Sequence, residues 1–538
     1  MYRWHIWRWV LGILLVLIGV AAGTAFYLSR HLEPILRERV VAALSDHFHA
    51  QVQLDQLHIS LLNGLDVSGS GLTIPMIETS AQTGPDTNLP PLATVSSFRF
   101  HLFGVSAVFQ KPLHIGTVYV SGMKLMLPPK GERPNLNKIK GKNEKLGITV
   151  DKILCDDAVL SLGTNKPGKQ PLVFDISHLV LTHIVPGEAL EFNANLLNPK
   201  PVGAIASTGS FGPWNSDSPG ETPVSGHYSF SNADLSTIKG VAGILSSTGN
   251  FGGVLDQIVV DGTTDVPDFR LDITNHPMPL HTDFHATVDG TTGNVTLNPV
   301  QAKLLESTFT VNGSVIRTPG IPGHNVDLNV KMARGRIEDM LRLAVKSEVP
   351  LMTGALNLDA HIQIPQGDER VMQKIIISGK FMISKVIYSS DKVQQKMDML
   401  SLRAQGLPKE ANPAGAAENQ VTSRISGQFE VANEVINIEQ LDYEMPGTEV
   451  LLSGTYAMGS SSYDFRGKLR TKAKLSQMTT GMASILLRAV DRIFSKDGAG
   501  TQIPVKINGT KADMHFGVDL KALMGKNTSG EEQYMSLW

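Results

Sequence analysis

A single cysteine, Cys155, stands in a chain of 538 residues, so no intrachain disulfide framework is available and the fold has to be held by packing and hydrogen bonds. Aromatic residues make up 6% of the chain and charged residues 18%, with a formal net charge of −2. So balanced a charge excludes a general electrostatic grip on nucleic acid, and no nucleic-acid partner is expected. Also missing are a phosphate-binding glycine loop, a dinucleotide fingerprint, a Gly-x-Ser-x-Gly elbow and a His-Glu-x-x-His pair, the spacings that announce the commonest enzyme chemistries. No catalytic residue, metal ligand or cofactor is therefore assigned. Long apolar runs are absent as well, with one exception.

That exception is the uncharged stretch from Trp9 to Ser29. About 20 helical residues at 1.5 Å rise cover about 30 Å, the thickness of a bilayer core. Residues 1–29 are expected to form a short tip and a transmembrane anchor made of Val10, Leu11, Ile13, Leu14, Leu15, Val16, Leu17, Ile18, Val20 and Phe26. Trp4, Trp7, Trp9 and Tyr27 suit the two interfaces. A cleaved signal peptide is the rival reading, because Ala21-Ala22-Gly23 is rich in small residues, but the stretch is longer than the roughly 7–15 apolar residues of such a peptide. Arg3 and Arg8 precede the run and Arg30, Arg37 and Arg39 come after it, so charge alone leaves its orientation open.

Beyond the apolar run the hydrophobic period changes twice. Over residues 30–50, Leu32, Ile35, Leu36, Val40, Leu44 and Phe48 fall at helical spacing with Pro34 in the first turn, which predicts an amphipathic helix capping the end of the body beyond it. From Gln51 the period is 2. Val52, Leu54, Leu57, Ile59, then Leu65, Val67, Leu72 and Ile74 mark short strands, with turns expected at Asn63-Gly64 and over Ser68 to Gly71. Cys155 alternates with Ile153 and reads as a small buried hydrophobe. Val326 to Met332 and Leu356 to Ile364 put aliphatics on one face and polar groups on the other, and Phe284, Ala286 and Val288 oppose His281, Asp283, His285 and Asp289. His281, Asp283 and His285 are the best candidate metal ligands, yet a solvent-facing strand gives the same alternation.

A loose repeat runs through the body. Val224-Ser-Gly-His-Tyr228, Val311-Asn-Gly-Ser-Val315, Ile377-Ser-Gly-Lys-Phe381, Ile425-Ser-Gly-Gln-Phe429 and Leu452-Ser-Gly-Thr-Tyr456 each place a glycine in mid-strand. Such a glycine marks a bulge, a bend or a close backbone approach. The irregular spacing speaks against a propeller of fixed blades and for one long, curling antiparallel sheet. Helices are expected over Ala233 to Leu245, Ile337 to Lys346 and Lys474 to Phe494, and loops over Pro75 to Pro91, the basic stretch Lys130 to Lys145, and Gly406 to Asn419.

The opening residues Leu32-Glu-Pro-Ile-Leu-Arg-Glu-Arg-Val-Val-Ala-Ala-Leu44, Val52-Gln-Leu-Asp-Gln-Leu57 and Gly64-Leu-Asp-Val-Ser-Gly69 resemble the start of AsmA-family proteins. Leu196 to Pro201, Gly209 to Trp214, Ala233 to Gly240 and Asp261 to Thr263 resemble an AsmA-like subgroup of diderm bacteria, and Ile503 to Gly509 with Phe516 to Leu520 is similar to the family's C-terminal region. The resemblance to the AsmA and TamB group of bridge-like lipid transfer proteins implies a mainly β fold with a few helices, in which one N-terminal transmembrane helix precedes an elongated, curled antiparallel sheet forming an apolar groove. It implies an inner-membrane anchor with the body in the periplasm, phospholipids as cargo moved toward the outer membrane, and no catalytic residues. Envelope proteins of the periplasm or outer membrane are the other expected partners. On this reading residues 51–330 form the N-terminal and central groove, 331–524 its C-terminal region and 525–538 a tail, with Phe284, Val288, Leu328, Val330, Leu356, Leu358 and Ile362 as groove residues. The alternative is an anchored periplasmic scaffold that assists outer-membrane protein assembly without carrying lipid.

Overall fold

The computed structural model describes residues 20, 23, 27, 31–45, 50–60, 65–75, 91–110, 113–127, 148–162, 172–185, 187–213, 215, 218–238, 240–272, 274–290, 292–318, 321–408, 420–480, 491, 500–510 and 513–519. Most of the expected anchor, the basic loop of residues 130–145 and the tail of residues 525–538 lie outside them. No helix among the described residues is long and apolar enough to cross a membrane. The described strands number 24 and belong to one sheet. The chain divides into two compact units, the first made of residues 1–238, 245–262 and 289–291, the second of residues 239–244, 263–288 and 292–538.

The first unit holds helix α1 (31–45) and strands β1 (Gln53–Ser60), β2 (Leu65–Ile74), β3 (Ala93–Leu102), β4 (Leu113–Leu127), β5 (Ile148–Leu162), β6 (Leu172–Ile184), β7 (Leu190–Pro199), β8 (Val202–Phe211) and β9 (Pro223–Asp234). β10 (Val241–Ala242) belongs to the second unit, β11 (Ile244–Val254) lies almost wholly in the first, and β12 (Gln257–Leu271) gives residues 257–262 to the first and 263–271 to the second. Neighbours from β1 to β9 pair antiparallel except β4 and β5, which run parallel with Leu113 beside Ile148 and Leu127 beside Leu162. The expectation of a wholly antiparallel sheet is corrected here. A parallel pair needs a connection of about a dozen residues or more, and residues 128–147 supply that length.

Helix α1 does what its periodicity predicts and one thing more. Leu32, Leu36 and Val40 are buried against Leu54, Leu57, Ile59, Leu65, Val67, Phe98, Phe100 and Leu102. Its polar residues also turn to β1, which pairs with β2 on one side. Arg37 donates to the carbonyl of Leu54, Glu33 accepts from the amide of Ile59 at 3.1 Å, and Ser45 accepts from the amide of Val52 at 3.1 Å. An open strand edge invites pairing with another chain; here side chains of a helix stand in for the missing strand.

The second unit continues with β13 (Met278–Val288), β14 (Val295–Leu304), β15 (Ser307–Ile316), β16 (Asn325–Arg336), β17 (Met352–Ile364), β18 (Ile376–Tyr388), β19 (Ser423–Ala432), β20 (Val435–Met445), β21 (Thr448–Ala457), β22 (Ser462–Thr471), β23 (Thr501–Thr510) and β24 (Met514–Val518), with helices α2 (Ile337–Ala344), α3 (Val371–Lys374) and α4 (Asp391–Ala404). From β13 to β24 every neighbour pairs antiparallel. α2 forms where the apolar spacing places it. The helix expected over Ala233 to Leu245 does not form: the carboxylate of Asp234 accepts from the amide of Ser236 at 2.9 Å and holds a short turn over Leu235–Thr237, beyond which the chain enters β10 and β11. Such local bonds compete with helix, and Gly240 and Gly243 take left-handed φ of 97° and 134°. No turn interrupts Ser68 to Gly71 either, since β2 runs straight through it. Of the helix expected from Lys474 to Phe494, a short 3₁₀ turn at Leu475–Met478 is described and most of the remainder lies outside the described residues.

Helix α4 was invisible to hydrophobic periodicity because the face it buries is mainly polar: Gln394, Asp398 and Ser401, with Ala404 as its one small apolar member. The Gln394 side chain accepts from the amide of Tyr388 at 2.9 Å and donates to Asp398 at 2.8 Å and to the Val421 carbonyl at 2.9 Å. Asp398 accepts from the Val421 amide at 2.8 Å, and Ser401 donates to the Pro446 carbonyl at 2.7 Å. Each buried polar group is satisfied, which is the condition for burying it at all.

Candidate functional site

Strand alternation and register decide which residues share a face. In the second unit, cross-strand partners link Phe284 to Val300, Val300 to Val311, Val311 to Val330, Val330 to Ala360, Ala360 to Gly379 and Gly379 to Phe429. The same row continues through Ile438, Gly454 and Phe465 to Ile507. It crosses eleven strands without a polar residue, and all its members but Ala360 are half-buried. Directly opposite partners on one face sit about 4.5–5.5 Å apart, so the row is a continuous apolar surface at right angles to the strands. A parallel row pairs Leu328 with Ile362 and Ile362 with Ile377. A third pairs Met332 with Leu358 and Leu358 with Phe381.

The face is sealed toward one side only. Leu356 and Ile383 are paired and 4% and 5% exposed, packed with Met332 and Val386 under Ile337 and Met340 of α2. Ile503 and Val505 are likewise buried beside Leu475. Toward the other side, Leu328, Ile362, Ile377 and Val431 remain half-buried, and the rings of Tyr456 and Tyr463 stack at 4.8 Å. Of the groove residues expected from the sequence, Phe284, Val330, Leu328, Ile362 and Leu358 lie in these three rows, Val288 pairs with Val295 beside them, and Leu356 sits in the sealed row. Sequence reading placed Phe381 and Phe429 in the glycine repeat but not among the groove residues, and did not single out Phe465.

At each of the five repeat glycines a Cβ would come within 2.7 Å of a neighbouring strand's carbonyl oxygen, and at two of them it would also meet an aromatic ring. Gly427 stands opposite Phe381, and an added Cβ there would meet ring carbons of Phe381 at 3.2 Å. Gly379 stands opposite Phe429 and Gly454 opposite Phe465. In the first unit a Cβ on Gly226 would meet the Phe251 ring at 2.8 Å, and one on Gly249 the Tyr228 ring at 2.9 Å. At Gly427, Gly226 and Gly249 a bare backbone on one strand thus leaves room for an aromatic ring from the next.

The first unit carries an equivalent row, linking Ile59, Val67, Phe100, Val118, Ile153, Leu181, Phe192, Gly209 and Gly226. Cys155 lies on this face, 1% exposed, and burial together with Asp156 and Asp157 pushes its thiol pKa up. It is an inert packing group, as its alternation with Ile153 predicts.

The opposite face is polar. His281 donates to the carboxylate of Asp265 at 2.6 Å and lies 3.5 Å from Asp283; that hydrogen bond, with the nearby carboxylate charges, raises its pKa. His281, Asp283 and His285 do not converge on one point, and no group of three potential metal ligands occurs among the described residues. His101 with Asp66, His178 with Asp156 and His361 with Asp327 repeat the same pairing across neighbouring strands at 2.7 to 2.9 Å.

No family model, curated protein or solved structure matches this chain.

Proposed function

We propose that the chain is an AsmA-like protein that shelters phospholipid acyl chains on the apolar face of its sheet for transport toward the outer membrane, held at the inner membrane by residues 1–29 with its body in the periplasm. The observation that carries the reading is the unbroken row from Phe284 to Ile507, apolar at each step and half-buried everywhere but at Ala360. An acyl chain in water loses about 0.8 kcal/mol of hydrophobic stabilisation per exposed CH₂. A surface that is apolar from strand to strand keeps that term favourable at every position along the row and selects no stopping point. Tyrosines at the half-buried margin suit the boundary between acyl chain and headgroup, where an amphipathic ring finds both environments. No residue is given a catalytic role.

The test is photo-crosslinking in cells with a probe residue at Leu328 or Leu358, with mass spectrometry of the adducts. Phospholipid adducts are expected at both positions and not at Asp359 or Lys380 on the polar face. Absence of adducts at both apolar positions, in protein that remains folded, overturns the reading and leaves an anchored scaffold for outer-membrane protein assembly.

A further inference from the structure

Strand β22 presents its outward residues as Asp464, Arg466, Lys468 and Arg470, and Lys472 and Lys474 continue the series beyond its end. Successive outward side chains on a strand are about 6.8 Å apart, so Arg466, Lys468 and Arg470 form a row of three cations on β22, and the exposed Lys472 and Lys474 follow where the chain bends beyond the strand's end. Arg466 meets Asp464 at 3.8 Å, and Arg470 meets Glu449 at 3.3 Å and Gln502 at 3.2 Å. Lys468, Lys472 and Lys474 are exposed and stand in no ion pair among the described residues. Elsewhere on the polar face signs alternate, as where Lys331 stands opposite Asp359 and Asp359 opposite Lys380. In a chain whose net charge is −2, three cations and one carboxylate on the outward face of β22, with two more lysines just beyond its end, are a local excess of positive charge.

We propose that the outward face of β22 docks the second unit on an anionic phospholipid bilayer. The row has the features such a surface rewards. Its charges recur at every second residue, and the strand partners of Lys468, Leu451 and Pro504, offer no aromatic anchor. Headgroup phosphates attract basic residues collectively, with no need for a fixed partner geometry. An acidic protein segment would call for apolar anchors or an open strand edge to fix its position, and β22 is hydrogen-bonded on both sides, to β21 and β23. The inference goes beyond the groove reading and holds whatever the apolar face carries.

The experiment uses the full chain in nanodiscs of neutral lipid, presented to vesicles of phosphatidylcholine alone or with about 30% phosphatidylglycerol, read by co-flotation. Capture is expected only by the anionic vesicles and is expected to weaken as salt rises. Each cation near an anionic surface contributes about fivefold in affinity, so the triple variant Arg466→Gln, Lys468→Gln, Lys472→Gln is expected to bind about 100-fold more weakly, with an unchanged melting temperature. Lys331→Gln with Lys380→Gln serves as the control and leaves binding intact. Equal capture by neutral vesicles, full binding by the triple variant, or capture on immobilised polyglutamate without capture by vesicles each overturns the proposal. Crosslinking at Leu358 in the same samples reports on the groove independently.

Discussion

The ring of Phe381 on β18 lies against the bare backbone of Gly427 on β19, within 3.2 Å of where a side chain on that glycine would begin. One residue's absence of a side chain is what leaves room for its neighbour's ring on the apolar face.

Gly427→Val is accordingly expected to destabilise the second unit by about 1–3 kcal/mol, the usual cost of overpacking. The new Cβ also meets the carbonyl oxygen of Gln440 at 2.7 Å, which cannot move without disturbing the β19–β20 ladder. Adding Phe381→Leu should recover only the part of the loss due to the ring. Denaturant unfolding of the single and double variants gives both numbers.

Leu356 and Leu358 are two positions apart on one strand and face the same way, yet only Leu356 is sealed under α2. Leu356→Asp buries an unpaired carboxylate and is expected to unfold the second unit. Leu358→Asp stands at a half-buried position, is expected to leave the unit folded, and should abolish lipid crosslinking at Leu328. Limited proteolysis alongside crosslinking separates the two outcomes.

Leu36 of α1 is completely buried against the first strands. Leu36→Ala is expected to cost about 2–5 kcal/mol and to raise amide exchange in β1, because the bonds from Arg37, Glu33 and Ser45 to that edge depend on the helix staying docked.

Asp398 of α4 accepts from Gln394 and from the Val421 amide and is 2% exposed. Asp398→Ala leaves two buried donors without an acceptor and is expected to cost about 1–3 kcal/mol for each. Asp398→Asn keeps a carbonyl oxygen for the Val421 amide and should cost less, as thermal melts would show.

The His281–Asp265 hydrogen bond raises the His281 pKa above its ordinary 6.5. A raised folded value means that the pair's stabilisation is complete below about pH 6.5 and is lost as pH rises through the folded value. The difference in melting temperature between the parent and His281→Gln is therefore expected to be largest below about pH 6.5 and to shrink as pH rises above it. For Asp327, hydrogen bonds from His361 and Gln363 lower the carboxyl pKa below 3.8. Its contribution is present above that value and disappears as pH falls through the folded one, so the difference between Asp327→Asn and the parent should be largest at neutral to mildly acidic pH and shrink as pH falls below 3.8.

Much of this architecture is written in local pattern. The alternation of Leu328 with Val330 and of Leu356 with Leu358 assigns each residue to a face before any strand has a partner, because side chains on a strand point to opposite sides in turn. The spacing of Leu32, Leu36 and Val40 determined that α1 would bury one face, and the glycine repeat marked the positions of close approach. What alternation cannot say is which strand comes next to which and in what register. Only the folded sheet joined Phe284 to Ile507 in one row, set β5 parallel to β4, and placed Phe381 over Gly427. Helix α4 lay beyond pattern altogether, since its buried Gln394, Asp398 and Ser401 are stable there only through partners at Tyr388, Val421 and Pro446. Apolar burial depends on a residue's own surface and is legible one residue at a time; hydrogen-bonded burial and strand register depend on groups distant in the chain, and tertiary structure alone brings those together.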